Sequence, residues 1–267
     1  MKKAFATWKW SLGAVARSPL VVAVLAAIAA LWSYGAYQWL WLPESSLLLL
    51  ILALLWAVVQ IVVAAGFVAG TAAAASNGAA AGANDLNLRS LTGFNRRQYA
   101  RALGSVVLAG ILVLLLHGLF ALADERALEV ASFLTFHSEK AVSPQSVGKV
   151  FWVIEWLVWI AAWGFLLSLF LLAHASGWGE LRRQAARTLK NCCWRTSFFT
   201  SLLTLAVFGG LAWLLSTWHP KAPVGFWDYA QTLIRLGVSL VLIVVGWLFW
   251  MLSLARLNLP PPENSKP

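Results

Sequence analysis

Long apolar runs, separated by short polar and basic segments, dominate the pattern along this chain. A helix of about 20 apolar residues crosses the roughly 30 Å hydrocarbon core of a bilayer, and each run reaches that length. The pattern therefore predicts an all-α integral membrane protein, one polytopic domain over residues 1–267 built as a six-span transmembrane helical bundle. The predicted spans are residues 19–41, 46–75, 103–123, 150–174, 197–217 and 236–254.

Three segments between the apolar runs have the composition of short amphipathic helices at the inner membrane surface: residues 4–17, 86–102 and 180–195. In the first, the apolar positions spaced three or four apart are Phe5, Trp8, Leu12 and Val15. Each segment precedes a pair of spans, which is consistent with a threefold internal repeat. Basic segments before alternate spans would equally arise without duplication in any chain that has both ends inside.

Two segments lack helical periodicity. Residues 76–85 are small and polar and are predicted to form a linker. Residues 257–267 are rich in proline, which cannot continue a helix, so we expect a mobile tail there.

The distribution of charge predicts the orientation. Of the twenty Lys and Arg residues, fifteen lie in segments on one side of the six spans and five on the other. Basic residues in short loops stay inside, so we expect both termini in the cytoplasm, with a bacterial inner membrane as the location. Because the cations flank spans, the net charge of +10 does not indicate a nucleic-acid partner. The first apolar run continues to Trp41, beyond a usual signal-peptide core, so we expect that span to be uncleaved.

The fourth span carries a line of tryptophans. At 100° per residue, these side chains fall within about 60° of one another. They are Trp152, Trp156, Trp159 and Trp163. Ala161, Gly164 and Ser168 fall on the far side and are expected to pack closely on a sibling helix. The deeper indole N–H groups need acceptors, which a packing seam inside the chain, a partner subunit, or a bound lipid, quinone or pigment could supply.

Three ionisable residues are expected inside the outer leaflet: His117, Glu155 and Arg235. An unpaired charge there costs several kcal/mol, so one hypothesis is that two or all three meet in a polar cluster. That cluster could clamp helices together or handle protons or substrate, and snorkelling to the interface without contact is the remaining alternative. Gln60 is expected to hydrogen-bond between helices, and His174 to cap the fourth span.

Close helix packing is also predicted near Gly66 and Gly70, because their spacing matches the G-x-x-x-G pattern of membrane helix pairs. Cys192 and Cys193 are adjacent, so they match neither a metal-site spacing nor a disulfide framework. Nucleotide-binding, hydrolase and protease fingerprints are absent from the sequence. We therefore expect no metal, no cofactor and no enzymatic activity.

The topology resembles the membrane half of some ABC exporters, with a surface helix, six spans and a basic elbow after the second. That resemblance implies a permease working with a separate cytoplasmic ATPase. The residues themselves favour a different role, a non-enzymatic subunit that packs against other membrane proteins and the lipid bilayer. A third alternative, an intramembrane enzyme acting on lipid, depends only on Glu155 and His117.

Overall fold

The computed structural model describes residues 2–41, 46–82, 85–138, 141–194, 196–218 and 225–259, and within these ranges the ordered elements are all helices. A π-helical turn, Leu205–Gly209, interrupts the fifth span. The helices are α1 (Lys2–Ala16), α2 (Pro19–Leu40), α3 (Leu47–Ala81), α4 (Leu88–Leu91), α5 (Arg96–Glu125), α6 (Ala127–Ser138), α7 (Pro144–Ser176), α8 (Trp178–Trp194), α9 (Thr196–Thr204), α10 (Gly210–Thr217) and α11 (Phe226–Asn258).

Six of these segments in the described ranges are long and apolar enough to cross a membrane, which confirms the six-span all-α fold. They are α2, α3, α5, α7, the unit α9–α10 and α11. Helix α1 and the last residues of α11 therefore lie at the same end of the bundle, together with α4 and α8. We call it the basic end, because the sequence segments on that side of the spans are the ones rich in Lys and Arg.

Several helices run further than the apolar pattern predicted. The linker predicted at residues 76–85 is wrong over most of its length, because α3 continues to Ala81. The alanines that precede this stretch pack in the core, and Gly82 then ends the helix in the left-handed conformation at φ 59°. The predicted tail is also wrong at its start, since α11 extends through Asn258; residues 260–267 lie outside the described ranges.

Local sequence explains where the spans begin. The Ser46 hydroxyl accepts a hydrogen bond from the Leu49 amide at the start of α3. At α5, Asn95 and Gln98 form a reciprocal capping box. At α7, Pro144 occupies the first turn, where its missing N–H is not needed.

The packed core lies at the basic end. The buried stretches there are Ala69–Ala75 of α3, Leu167–His174 of α7 and Leu248–Ala255 of α11. Towards the opposite end the spans are much less covered by one another. Of the residues in the most apolar stretch of α11, 61% are buried, whereas in the corresponding stretch of α5 the buried share is 0%. The bundle is therefore tightly joined at one end and open at the other.

Helix α1 is part of that core, which corrects the predicted surface helix. Its buried face is only partly the apolar stripe expected from the sequence, because Val15 is buried whereas Phe5 is 68% exposed and Leu12 is 50% exposed. The other buried residues recur every three or four positions and are small: Ala4, Thr7, Ser11 and Ala14 in the helix and Ser18 just after it. Small side chains let α1 approach α11 and α9 closely, and this close approach decides which face turns inward.

Away from the core, α2 and α3 are joined by a ladder of tryptophans. The indole N–H of Trp39 donates to the Ala53 carbonyl at 2.9 Å, and that of Trp32 to the Gln60 carbonyl at 3.1 Å. In the reverse direction, Trp56 donates to the Gly35 carbonyl at 2.9 Å. Trp39 of α2 therefore binds the neighbouring helix α3. These bonds hold the two helices together where few other helices contact them.

Candidate functional site

A set of buried hydroxyl groups joins five helices at the basic end, and we call it the hydroxyl network. Three of its bonds have a tryptophan indole as donor. Trp8 of α1 donates to Thr200 Oγ1 of α9 at 2.8 Å. Trp250 of α11 donates to Ser201 Oγ of α9 at 3.0 Å.

The third indole bond links α11 to α3, where Trp247 donates to Thr71 Oγ1 at 3.1 Å. Two further bonds complete the hydroxyl network. Ser253 of α11 donates to Ser11 of α1 at 3.0 Å, and the Asn258 amide donates to Ser168 of α7 at 3.0 Å.

Each accepting hydroxyl on α9 and α3 also donates within its own helix. Thr200, Ser201 and Thr71 donate to the carbonyls of Thr196, Ser197 and Phe67 at 2.8–3.0 Å. The hydroxyl proton is therefore satisfied locally, and the oxygen lone pairs stay free for the indole of another helix. Burying a polar group without a partner is costly, and these bonds remove that cost for the indoles and hydroxyls that form them.

The sequence analysis missed this network. A signal was available in the fifth span, where Ser197, Thr200, Ser201 and Thr204 follow one another at helical spacing, and all four are buried. The predicted pattern emphasised tryptophans and charges, whereas the bonds depend on tryptophan paired with hydroxyl. The sequence pattern did not indicate a role for Trp247 or Trp250, because the position of an indole in the sequence does not show which hydroxyl group accepts its hydrogen bond.

At the inner end of α7, His174 does not cap the helix as expected. The side chain is only 1% exposed, and neither ring nitrogen has a hydrogen-bond partner among the described residues. Arg101 of α5 takes the capping role instead, since its guanidinium donates to the Ala173 carbonyl at 3.0 Å. A cation is favourable at that position because a helix C-terminus carries partial negative charge.

The structure places the three residues of the predicted polar cluster on three different spans. Glu155 is half-buried and accepts a hydrogen bond from the Trp159 indole at 3.2 Å. Arg235 donates to Thr232 Oγ1 at 3.1 Å and to the Gln231 carbonyl at 3.4 Å. His117 is exposed. Among the described residues, the one ion pair is Arg126–Glu129, so no ion pair joins the three. A meeting of the three side chains stays a prediction.

The tryptophan stripe of α7 divides into two halves. Trp152 and Trp156 are exposed near the outer end, where an interfacial belt would lie. Deeper in the span, Trp159 has Glu155 as its acceptor and contacts Phe120 of α5 with ring centroids 6.3 Å apart. Trp163 packs against the core. The deep indoles of this stripe therefore have neighbours inside the chain.

The predicted packing residues lie at close helix contacts to different degrees. A Cβ atom on Gly70 would lie 2.8 Å from the Leu91 carbonyl oxygen of α4, and one on Gly164 would lie 2.5 Å from Ser201 Oγ. Ser168 is fully buried beside Gly164. The contacts are looser at Gly66, where a Cβ would be 3.9 Å from the Tyr99 ring, and at Ala161, which is half-buried.

Helix α5 carries an unoccupied surface of different character. At 100° per residue, five exposed residues between positions 110 and 121 fall within an arc of about 100°. They are Gly110, Leu114, His117, Gly118 and Ala121, and we call this surface the α5 face. A Cβ atom on Gly110 or Gly118 would meet nothing within 4 Å. The α5 face thus combines small residues with one polar side chain, and no part of the described chain covers it.

No protein family, curated protein or solved structure matches this chain. Among the described residues, no three His, Cys, Asp or Glu side chains come together as a metal site.

Proposed function

We propose that this chain is a non-enzymatic subunit of a larger membrane protein complex and that the α5 face contacts a transmembrane helix of a partner subunit. The observation that carries the proposal is the exposed imidazole of His117 on a span whose most apolar stretch is 0% buried. His117 lies eight residues before the end of α5 at Glu125, which is about 12 Å along a helix.

An imidazole at that depth has an energetic reason to find a partner. In lipid its N–H donor and its ring acceptor are unsatisfied, which costs several kcal/mol. A hydrogen bond to a polar side chain on a partner helix removes that cost. His117 therefore favours a protein neighbour over acyl chains.

The glycines of the α5 face support the same conclusion. Glycine in a helix interior is roughly 0.5–1 kcal/mol less favourable than alanine. Gly110 and Gly118 have open space around them, so nothing inside the chain requires their small size. Small residues on a membrane helix let a second helix approach closely, which explains the two positions if a partner packs there.

The direct test is photo-crosslinking from Leu114 in membranes of the native host, with Val58 of α3 as the matched control. Both residues are exposed, and each lies eleven residues inside the outer end of its span. We expect a photoreactive residue at Leu114 to capture one discrete membrane protein, identified by mass spectrometry, and the same residue at Val58 to capture lipid. Lipid products alone from Leu114 would contradict the proposal.

Two variants separate partner binding from folding. Gly118→Leu adds a large side chain on an exposed face where nothing in the chain lies within 4 Å, so the isolated chain should fold normally. Co-purification of the partner in gentle detergent should be lost, because the leucine occupies the space that the partner helix needs. His117→Leu should weaken co-purification for lack of the hydrogen bond. Unchanged recovery of the partner with both variants would show that another surface is used.

The same purification addresses the permease alternative. That role needs the basic elbow after the second span to protrude towards a cytoplasmic ATPase. In the structure the helical part of this elbow is the four-residue α4, which packs against Gly70 of α3. The geometry therefore favours the accessory subunit. Stoichiometric recovery of a soluble ATPase with the tagged chain would reverse that preference.

A further inference from the structure

The exposed cations of the basic end form a surface that the hydroxyl network and the α5 face do not use. Two neighbouring segments contribute to it, the elbow that leads into α5 and helix α8. Its described members are Arg89, Arg96, Arg97, Arg183, Arg187 and Lys190, and we call them the cationic collar. The two segments approach each other where a Cβ on Gly104, in the third turn of α5, would lie 3.8 Å from the Trp178 ring at the start of α8.

The cationic collar is not neutralised by the chain itself. In the sequence, the segments on the basic side of the six spans carry fifteen Lys and Arg residues against three acidic residues, a net charge of +12. Among the described side chains, the single ion pair is Arg126–Glu129, which lies at the opposite end. The counter-charge must therefore come from outside the chain.

Two of these arginines lie where a positive charge is unfavourable for the helix that carries them. Arg96 and Arg97 occupy the first turn of α5, and that turn contains no acidic residue. The first turn carries partial positive charge, so a cation there is unfavourable for the isolated helix. Their position is explained if an anion lies close by.

Exposed apolar side chains beside the cations indicate what kind of anion this is. Leu88 lies next to Arg89 in the elbow, and Trp178 and Leu189 lie on α8; all three are exposed. Apolar groups next to cations fit the boundary between acyl chains and headgroups, where tryptophan is also enriched. A phospholipid has both groups in one molecule, an anionic headgroup for the cations and acyl chains for the apolar side chains.

We propose that the cationic collar binds acidic phospholipids, with the guanidinium groups on the phosphates and Leu88, Trp178 and Leu189 in the acyl region. This inference is independent of the partner subunit proposed above. It specifies a lipid class for the basic end, because a zwitterionic lipid cannot supply net negative charge.

The test uses the full chain in nanodiscs that contain equal amounts of phosphatidylglycerol and phosphatidylcholine. Native mass spectrometry then counts the lipids retained by each protein molecule. We expect phosphatidylglycerol to be enriched several-fold over phosphatidylcholine. We expect the fourfold variant, which combines Arg96→Gln, Arg97→Gln, Arg183→Gln and Arg187→Gln, to lose most of that enrichment. The matched control is Arg126→Gln at the opposite end, which should leave the enrichment unchanged.

The outcomes are distinct. Equal retention of both lipids by the wild-type chain, or unchanged enrichment in the fourfold variant, would overturn the proposal. Displacement of phosphatidylglycerol by free inorganic phosphate would also overturn it, because it would show that the headgroup anion alone is bound. If the fourfold variant fails to fold, the wild-type chain still decides, since enrichment of electrostatic origin must fall at high salt.

Discussion

Glycine has opposite uses at two positions of this molecule. A Cβ on Gly246 of α11 would lie 2.6 Å from the Cβ of Phe208, in the π-helical turn of span five. The extra residue of a π turn changes the direction of the following side chains, and here Phe208 lies over Gly246 with its ring 5.6 Å from that of Phe249. Gly110 of α5, in contrast, has nothing within 4 Å.

We therefore expect opposite effects from the same substitution. Gly246→Ala should lower the free energy of unfolding by about 1–3 kcal/mol, because the new methyl group overlaps Phe208. Gly110→Ala should raise it by roughly 0.5–1 kcal/mol in the isolated chain, because alanine restricts the unfolded state without a clash. Denaturant unfolding in detergent micelles measures both values. Equal effects of the two substitutions would show that the π-helical turn and α11 do not pack as closely as described.

The indole–hydroxyl bonds are testable residue by residue. Trp250→Phe removes the donor to Ser201, and we expect a loss of about 0.5–2 kcal/mol in the free energy of unfolding. A double-mutant cycle with Ser201→Ala should return a coupling energy of similar size, since the two groups act together. Trp227→Phe, at the exposed start of the same helix, is the control and should have little effect. A coupling energy of zero would mean that the bond contributes nothing.

At the scale of single helices, the sequence predicted which helices exist and in what order better than it predicted which face of each helix is buried. Apolar length alone identified all six spans, because the cost of leaving a backbone unpaired in lipid permits few other structures. It could not identify which face of α1 is buried. Phe5 and Leu12 are the more apolar residues, yet Ser11 and Ala14 are inside, because closeness of approach between membrane helices depends on small side chains.

Side-chain contacts were harder to predict than spans, because they depend on how the helices pack against one another. Glu155 and Trp159 were singled out as residues that need partners, and each turned out to satisfy the other one turn along α7. The acceptor of Trp247 lies 176 residues away in the chain, on α3. No local pattern can indicate such a pairing, because it depends on how three helices are arranged at the basic end.

Substitutions in α1 can distinguish the buried face of small residues seen in the structure from the apolar stripe expected from the sequence. Ser11→Leu should lower the free energy of unfolding by about 1–3 kcal/mol, because Ser11 is fully buried against Ser253. Leu12→Ser should change it by less than about 0.5 kcal/mol, since Leu12 is half exposed. Thermal unfolding of the two variants in detergent distinguishes them. A larger effect at Leu12 would restore the amphipathic surface helix that the sequence pattern predicted.

At the scale of the whole molecule, packing and charge are concentrated at the same end. The buried parts of α3, α7 and α11 and the cationic collar all lie there. In the sequence segments on the opposite side of the spans, acidic residues outnumber basic ones, seven to five. The positive-inside rule then predicts that the tight end lies in the cytoplasm, and a bacterial inner membrane stays the predicted location.

Cysteine labelling tests that orientation. In a background with Cys192 and Cys193 replaced by serine, Thr92→Cys of the elbow should react with a membrane-impermeant maleimide only after the membrane is permeabilised. Ser132→Cys of α6, which is exposed at the opposite end, should react in intact cells. The reverse labelling pattern would invert the topology.

The bond between Ser11 and Ser253 joins residues 242 positions apart. A ribosome makes α1 first and α11 last, and at about 5–20 residues per second the interval between them is about 10–50 s. Throughout that interval the polar seam of α1 has no α11 to cover it. The newborn chain therefore inserts its spans before its core can close, and any product truncated before α11 keeps an exposed row of hydroxyls that quality-control proteases can recognise.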